Sequence, residues 1–242
     1  MRSFKNSLSQ CFRVSWHCFT RILITPQAAL RDLSHDDSAV RLVRDFASQL
    51  GKTKQRQLTF NTPGAIVREP LDYDLAVATG AIAPTEDRFS FLQGDIISSD
   101  TAYLLGERLT GINFVIASST CDLIPARREY AALLRIQPIA ANTLNAADTI
   151  GQLLKFQSTQ RLYLPPLPSD PPNTLANALL FDGIIQIELT QLLLATRKAS
   201  LSLVGWRIFG SLLRSMLVRT GDGEVSLRQN LYKIHDLAIL KE

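Results

Sequence analysis

The strongest constraint on this chain is a series of short, branched apolar segments in its middle third, each ended by small or polar residues. Ile96–Ile97 follows Gln93-Gly94-Asp95, and Gly111-Ile112-Asn113-Phe114-Val115-Ile116-Ala117 ends in Ser118-Ser119-Thr120-Cys121-Asp122. Glu129–Ile139 is rich in Ala, Leu and Ile and is closed by Pro138. Branched residues in short runs bounded by turn formers predict strands. A doubly wound α/β fold would need longer crossover helices and a glycine-rich first turn, and neither is present. The pattern predicts a mixed α/β (α+β) protein with a small barrel-type core of bent antiparallel sheet.

Around this core the expected elements differ. Asp36–Leu50 carries a helical apolar stripe of Val40, Leu42, Val43, Phe46 and Leu50. Gly51 and the basic cluster Lys52, Lys54 and Arg56 predict a solvated turn, with short strands at Leu58–Phe60 and Ala65–Val67 around Asn61–Gly64. Ala141–Leu154 predicts a helix, and Arg161–Leu164 a strand. Five prolines between Pro165 and Pro172 exclude regular helix and predict a rigid surface loop. Phe181–Leu189 reads as a strand with Asp182-Gly183 at a turn. Leu201–Val218 has Ser200 or Ser202 as an N-cap and a core face of Ile208 or Phe209, Leu212, Leu213, Met216 and Leu217, which predicts the longest helix. Glu224–Leu231 is expected to form a last short element. The chain divides into an N-terminal helical and basic extension (1–87), a barrel-like core (88–190) and a C-terminal helical segment packed on it (191–242).

Composition narrows the function classes. The 242 residues are 46% hydrophobic and 20% charged, enough for a proper core and incompatible with wholesale disorder. A net charge of +4 is a mild excess of base, compatible with an acidic partner. Three cysteines, Cys11, Cys18 and Cys121, lack CxxC spacing and suit a reducing compartment, so a cytoplasmic location is expected. Cys11, His17 and Cys18 match no common zinc spacing. No run of 18 apolar residues is present, and no transmembrane segment is expected. Met1–Arg31 holds five basic residues and no acidic one, and reads as a helix packed on its own domain or as a basic amphipathic helix.

Candidate chemistry concentrates between Gly94 and Arg128. A cysteine nucleophile at Cys121 would need Arg127 or Arg128 to favour its thiolate and His35 or His235 to serve as base. The simpler reading makes Cys121 a small buried hydrophobe and Asp122 a turn cap. Asp95 is expected to pair with Arg127 or Arg128. Asp95, Asp122 and Glu129 form an alternative divalent-metal set, although no metal or other cofactor is expected. Metal-free RNA cleavage requires groups that move the 2′-hydroxyl proton and stabilise phosphate charge, which singles out Arg128, Arg127, Thr120 and Asp95. Ser118, Ser119, Cys121 and Asp122 are candidate binding residues. Arg207 and Arg214, seven apart on the last helix, are two further basic candidates.

The order Gly94-Asp95-Ile96, then Phe114-Val115-Ile116 running into Ser118, then Tyr130–Ile139, resembles the MazF/PemK-like growth-inhibitor superfamily. The similarity spans Leu92–Ile139, about a fifth of the chain. Thr110-Gly111-Ile112-Asn113 stands where that family has an arginine and a proline. The Thr120-Cys121-Asp122-Leu123 turn is more similar to bacterial proteins that pair it with a Gly-Asp-Ile start. The resemblance implies an SH3-like barrel and metal-free endoribonuclease activity in a toxin–antitoxin or defence setting, with single-stranded RNA as partner. The alternative is a non-enzymatic interaction or scaffold protein, binding a protein partner or a second copy of itself. That alternative expects a closed network of Asp95, Asp122 and Arg128, and an apolar patch supplied by Leu201–Val218.

Overall fold

The computed structural model describes residues 39–70, 72–80, 90–104, 106–124 and 127–217. The basic N-terminal segment with Cys11, His17, Cys18 and His35, the element expected at Glu224–Leu231, and His235 lie outside the described residues.

The described chain runs α1 (Ala39–Gln49), α2 (Thr53–Phe60), β1 (Val67–Arg68), α3 (Tyr73–Ala78), β2 (Asp95–Ser98), β3 (Ala102–Leu104), β4 (Glu107–Leu109) and β5 (Asn113–Ile116). A 3₁₀ turn (Thr120–Leu123) precedes β6 (Tyr130–Ala140), α4 (Ala146–Leu153), β7 (Arg161–Leu164), β8 (Thr174–Glu188), α5 (Leu189–Leu192), β9 (Thr196–Leu201) and α6 (Leu203–Leu217). Seven strands form one antiparallel sheet in the order β1-β9-β2-β5-β6-β8-β7, and β3 and β4 form a separate hairpin. The fold is therefore mixed α/β, with flanking helices on a bent antiparallel sheet.

Both faces of the central strands are covered, which explains why those strands read as continuous apolar runs. Successive side chains point to opposite faces. Ile96, Val115 and Leu134 share a face and join the larger core, into which α1 sends Val43, α2 sends Phe60 and α6 sends Ile208, Phe209 and Leu212. On the other face Ile97, Phe114, Ile116 and Leu133 meet Ile185, Ile187 and Ala102 in a second core. Ala102 belongs to β3, which lies against β8 across this core. The strands therefore curl around the second core, to which α5 adds Leu189 and Leu192, while α1, α2 and α6 pack on the larger core.

Bending is built into β8. Leu134 stands opposite Ile184 and Ile136 opposite Leu179, so β8 advances five residues while β6 advances two. The surplus around Phe181–Gly183 is a bulge, which bends and twists a strand without ending it. This corrects the expectation of a turn at Asp182-Gly183: β8 begins at Thr174 and continues through it. Pro138 is tolerated in β6 because β5 pairs only as far as Arg135, leaving that stretch bonded on the β8 side.

The strand expected at Leu58–Phe60 and the solvated turn before it are one helix, α2. Its Thr59 and Phe60 are buried, and Phe60 packs edge-on against Phe46 and Phe156. Tertiary aromatic packing overrides a weak local signal here. The helix expected at Ala141–Leu154 begins only at Ala146, and the proline-rich loop is ordered from within. Asp170 accepts from Leu167 N–H at 2.7 Å and from Asn177 Nδ2 at 2.6 Å, and Asn177 also donates to Pro165 O at 3.1 Å.

Candidate functional site

The Gln93-Gly94-Asp95 tripeptide acts as a junction. Gly94 has φ +88°, a left-handed conformation that favours glycine, and an added Cβ would stand 3.3 Å from Leu201 and 3.4 Å from Trp206. Its N–H donates to Ile116 O and its carbonyl accepts from Leu201 N–H, each at 2.9 Å. Asp95 is fully buried and accepts from Leu92 N–H at 2.8 Å, Ser200 Oγ at 2.5 Å and Arg197 Nη1 at 3.3 Å. The expected pairing of Asp95 with Arg127 or Arg128 is thus corrected. Its cation is Arg197, brought beside it because β9 pairs with β2. Gln93 donates through Nε2 to Ala117 O at 2.8 Å and accepts from Trp206 Nε1 at 3.1 Å.

The turn after β5 hangs from this junction. Gln93 N–H donates to Thr120 Oγ1 at 3.0 Å, and Ala132 N–H donates to Ser118 Oγ at 2.8 Å. Thr120 and Ser118 therefore hold the 3₁₀ turn to the sheet. Cys121 is exposed rather than buried, a correction to the simpler reading, because a short turn at the sheet's end leaves its side chain outside both cores. Ser119 Oγ lies 3.1 Å from Cys121 Sγ. Both histidines considered as its base lie outside the described residues.

Arg127 and Arg128 stand where β6 begins. Arg127 Nη1 donates to Cys121 O at 3.2 Å, and Arg128 Nε lies 3.6 Å from Asp122 Oδ1 in a solvated pair. Asp122 thus steadies an arginine, and Asp95 belongs to a different network. The closed Asp95–Asp122–Arg128 cluster expected of a scaffold does not form. Among the described residues no group of three or more metal-ligating side chains comes together.

Both arginines line an open groove of about 880 Å³. One wall is Arg127, Arg128, Glu129 and Tyr130; the other is Glu188, Leu189, Thr190 and Leu193, from the end of β8 and from α5. Strand register sets the two walls: Tyr130 is directly opposite Glu188, and Leu189 N–H donates to Glu129 O at 2.9 Å. Directly opposite residues in an antiparallel pair project from the same face with Cβ atoms about 5 Å apart. Tyr130 is 51% exposed, so its ring is open to a ligand. Thr190 Oγ1 donates to Glu188 Oε2 at 3.4 Å.

Sequence reasoning found the two arginines and missed Tyr130, Glu188 and Thr190. Their only signal was the length of the two long strands, since pairing alone brings Glu188 beside Tyr130. Arg207 and Arg214 lie on α6, where Arg207 Cζ sits 5.3 Å from the Trp206 ring centroid and Arg214 is exposed. Neither belongs to the groove. Among the described residues no helix is long and apolar enough to cross a membrane. Comparisons with protein-family models, with curated proteins and with solved structures return no match for this chain.

Proposed function

We propose that the groove between the start of β6 and the end of β8 binds single-stranded RNA. The observation that carries this reading is one exposed aromatic ring, Tyr130, set between two exposed guanidiniums and a carboxylate on the walls of a single open groove. Unpaired bases stack on aromatic rings, and guanidiniums bind phosphate through a fork of donors. The resemblance of Leu92–Ile139 to the MazF/PemK-like superfamily, with its SH3-like barrel, points the same way. In this reading Arg127 and Arg128 hold the backbone, and any cleavage draws its proton acceptor from Glu129 or Glu188. Asp95 and Thr120 support the site from behind.

Arg127 and Arg128 share the groove with Glu129 and Glu188, so its formal charges cancel and contacts at short range must supply the affinity. Neutralising at most two phosphates gives single-strand binding a log–log salt slope no steeper than about −1.4.

Binding and cleavage of a mixed single-stranded RNA pool, with and without EDTA, test the proposal on wild type and Arg128→Ala. Binding at low salt that weakens in the variant supports it, and EDTA-resistant cleavage lost in the variant extends it to a metal-free ribonuclease. A folded protein that neither binds nor cuts at low salt removes RNA. A protein partner seated on the exposed Leu193 of the groove wall and on its neighbour Leu194 then becomes the better reading, measured by light scattering for self-association.

A further inference from the structure

We infer that the groove selects guanine, with Glu188 reading the base that stacks on Tyr130; this rests on the RNA-binding reading above. Guanine differs from the other three RNA bases in presenting two adjacent donors, N1–H and the N2 amino group, on its Watson–Crick edge. A carboxylate has two acceptor oxygens spaced to meet both, the same fork geometry that makes bidentate pairs selective. Adenine offers that edge one amino donor beside an unprotonated N1. Cytosine offers its N4 amino donor beside the acceptor nitrogen N3, and uracil its N3–H between two carbonyl oxygens, and a carboxylate repels those acceptors.

The groove places such a reader beside a stacking surface. Tyr130 and Glu188 are opposed on adjacent strands, so a base lying on the ring has its edge within reach of the carboxylate. Thr190 Oγ1 lies 3.4 Å from Glu188 Oε2, a long contact that leaves both carboxylate oxygens available to the base. Leu189 and Leu193 supply the apolar side of the same groove, and Arg127 and Arg128 stand on the Tyr130 wall where a flanking phosphate would lie. Glu188 is exposed at the end of β8, outside both cores, so its replacement leaves the fold in place.

The test is fluorescence anisotropy with four labelled RNA heptamers, all uridine except for G, A, C or U at the centre. Wild-type protein is expected to hold the G heptamer roughly tenfold or more tightly than the other three. In Glu188→Gln that ratio should fall towards one, through weaker binding of the G heptamer. An inosine heptamer, which lacks the N2 amino donor, should fall between G and A for the wild type. Equal binding of all four heptamers by the wild type overturns guanine selection and leaves RNA binding standing. Failure of every heptamer to bind overturns the RNA reading itself. A G preference that survives in Glu188→Gln places the selection elsewhere and overturns the role of Glu188.

Discussion

Asp95 shows how differently one carboxylate reads alone and in context. In the sequence it stands near a hydroxyl cluster and two arginines and suggests chemistry. In the fold it has no solvent exposure, and its oxygens accept from a backbone N–H, a serine and Arg197. Its removal takes the acceptor from the buried Ser200 hydroxyl and from the partly buried Leu92 N–H and Arg197 guanidinium, which costs more than one exposed hydrogen bond. Asp95→Ala is expected to lose about 3 kcal/mol of stability, read as a lower urea midpoint with an unchanged slope. Unchanged stability with loss of RNA binding would instead make Asp95 part of the site. The exposed Glu188 and Arg128 should behave in the opposite way, altering binding while leaving the urea midpoint within about 0.5 kcal/mol of wild type.

At the scale of elements, the docking of α6 depends on one close approach. Ser202 Oγ accepts from Gly205 N–H at 3.1 Å and donates to Ala65 O at 2.9 Å, capping the helix and tying it to the segment before β1. Ile66 O, which accepts from Ser202 N–H, lies so near Gly205 that an added Cβ would sit 2.3 Å from it. Gly205→Ala therefore improves helix propensity and loses on packing, and backbone against backbone has little room to yield. The expected net effect is a loss of roughly 1–3 kcal/mol, seen as a lowered thermal midpoint. Ser202, one of two expected caps, and the buried Ile208, Phe209, Leu212 and Leu213 were legible beforehand because they follow the helical period, whereas Leu217, expected on that face, is 61% exposed at the end of α6. Gly205 was not legible, since its constraint comes from a carbonyl on a distant segment.

For the molecule as a whole, the sheet joins parts of the chain that composition sets apart. β9, from the C-terminal region, pairs with β2 on one side and with β1, from the N-terminal region, on the other. It carries Ser200 and Arg197 to Asp95, and α6 follows to cover the larger core. A chain ending at residue 195 would expose that core and leave the buried Asp95 carboxylate without its two side-chain partners. It is expected to lack the cooperative thermal transition expected of the full chain and to be cut rapidly by protease. A cooperative, protease-resistant truncated chain would show that residues before β9 form a unit of their own.

The amino-acid sequence by itself determined the mixed class, the central strands, the final helix and the arginine pair, because each follows from local periodicity or from residue chemistry. Four features depended on tertiary structure: β9, the bend in β8, the helical state of Thr53–Phe60 and the opposition of Tyr130 to Glu188. β9 reads Thr196-Arg197-Lys198-Ala199-Ser200-Leu201, too polar to announce a strand inside the sheet, between β1 and β2. It sits there because β2 supplies a backbone ladder and Asp95 a charge partner. Helix and strand patterns are written in neighbouring residues. Register is a relation between segments far apart in the chain, and here it builds the groove.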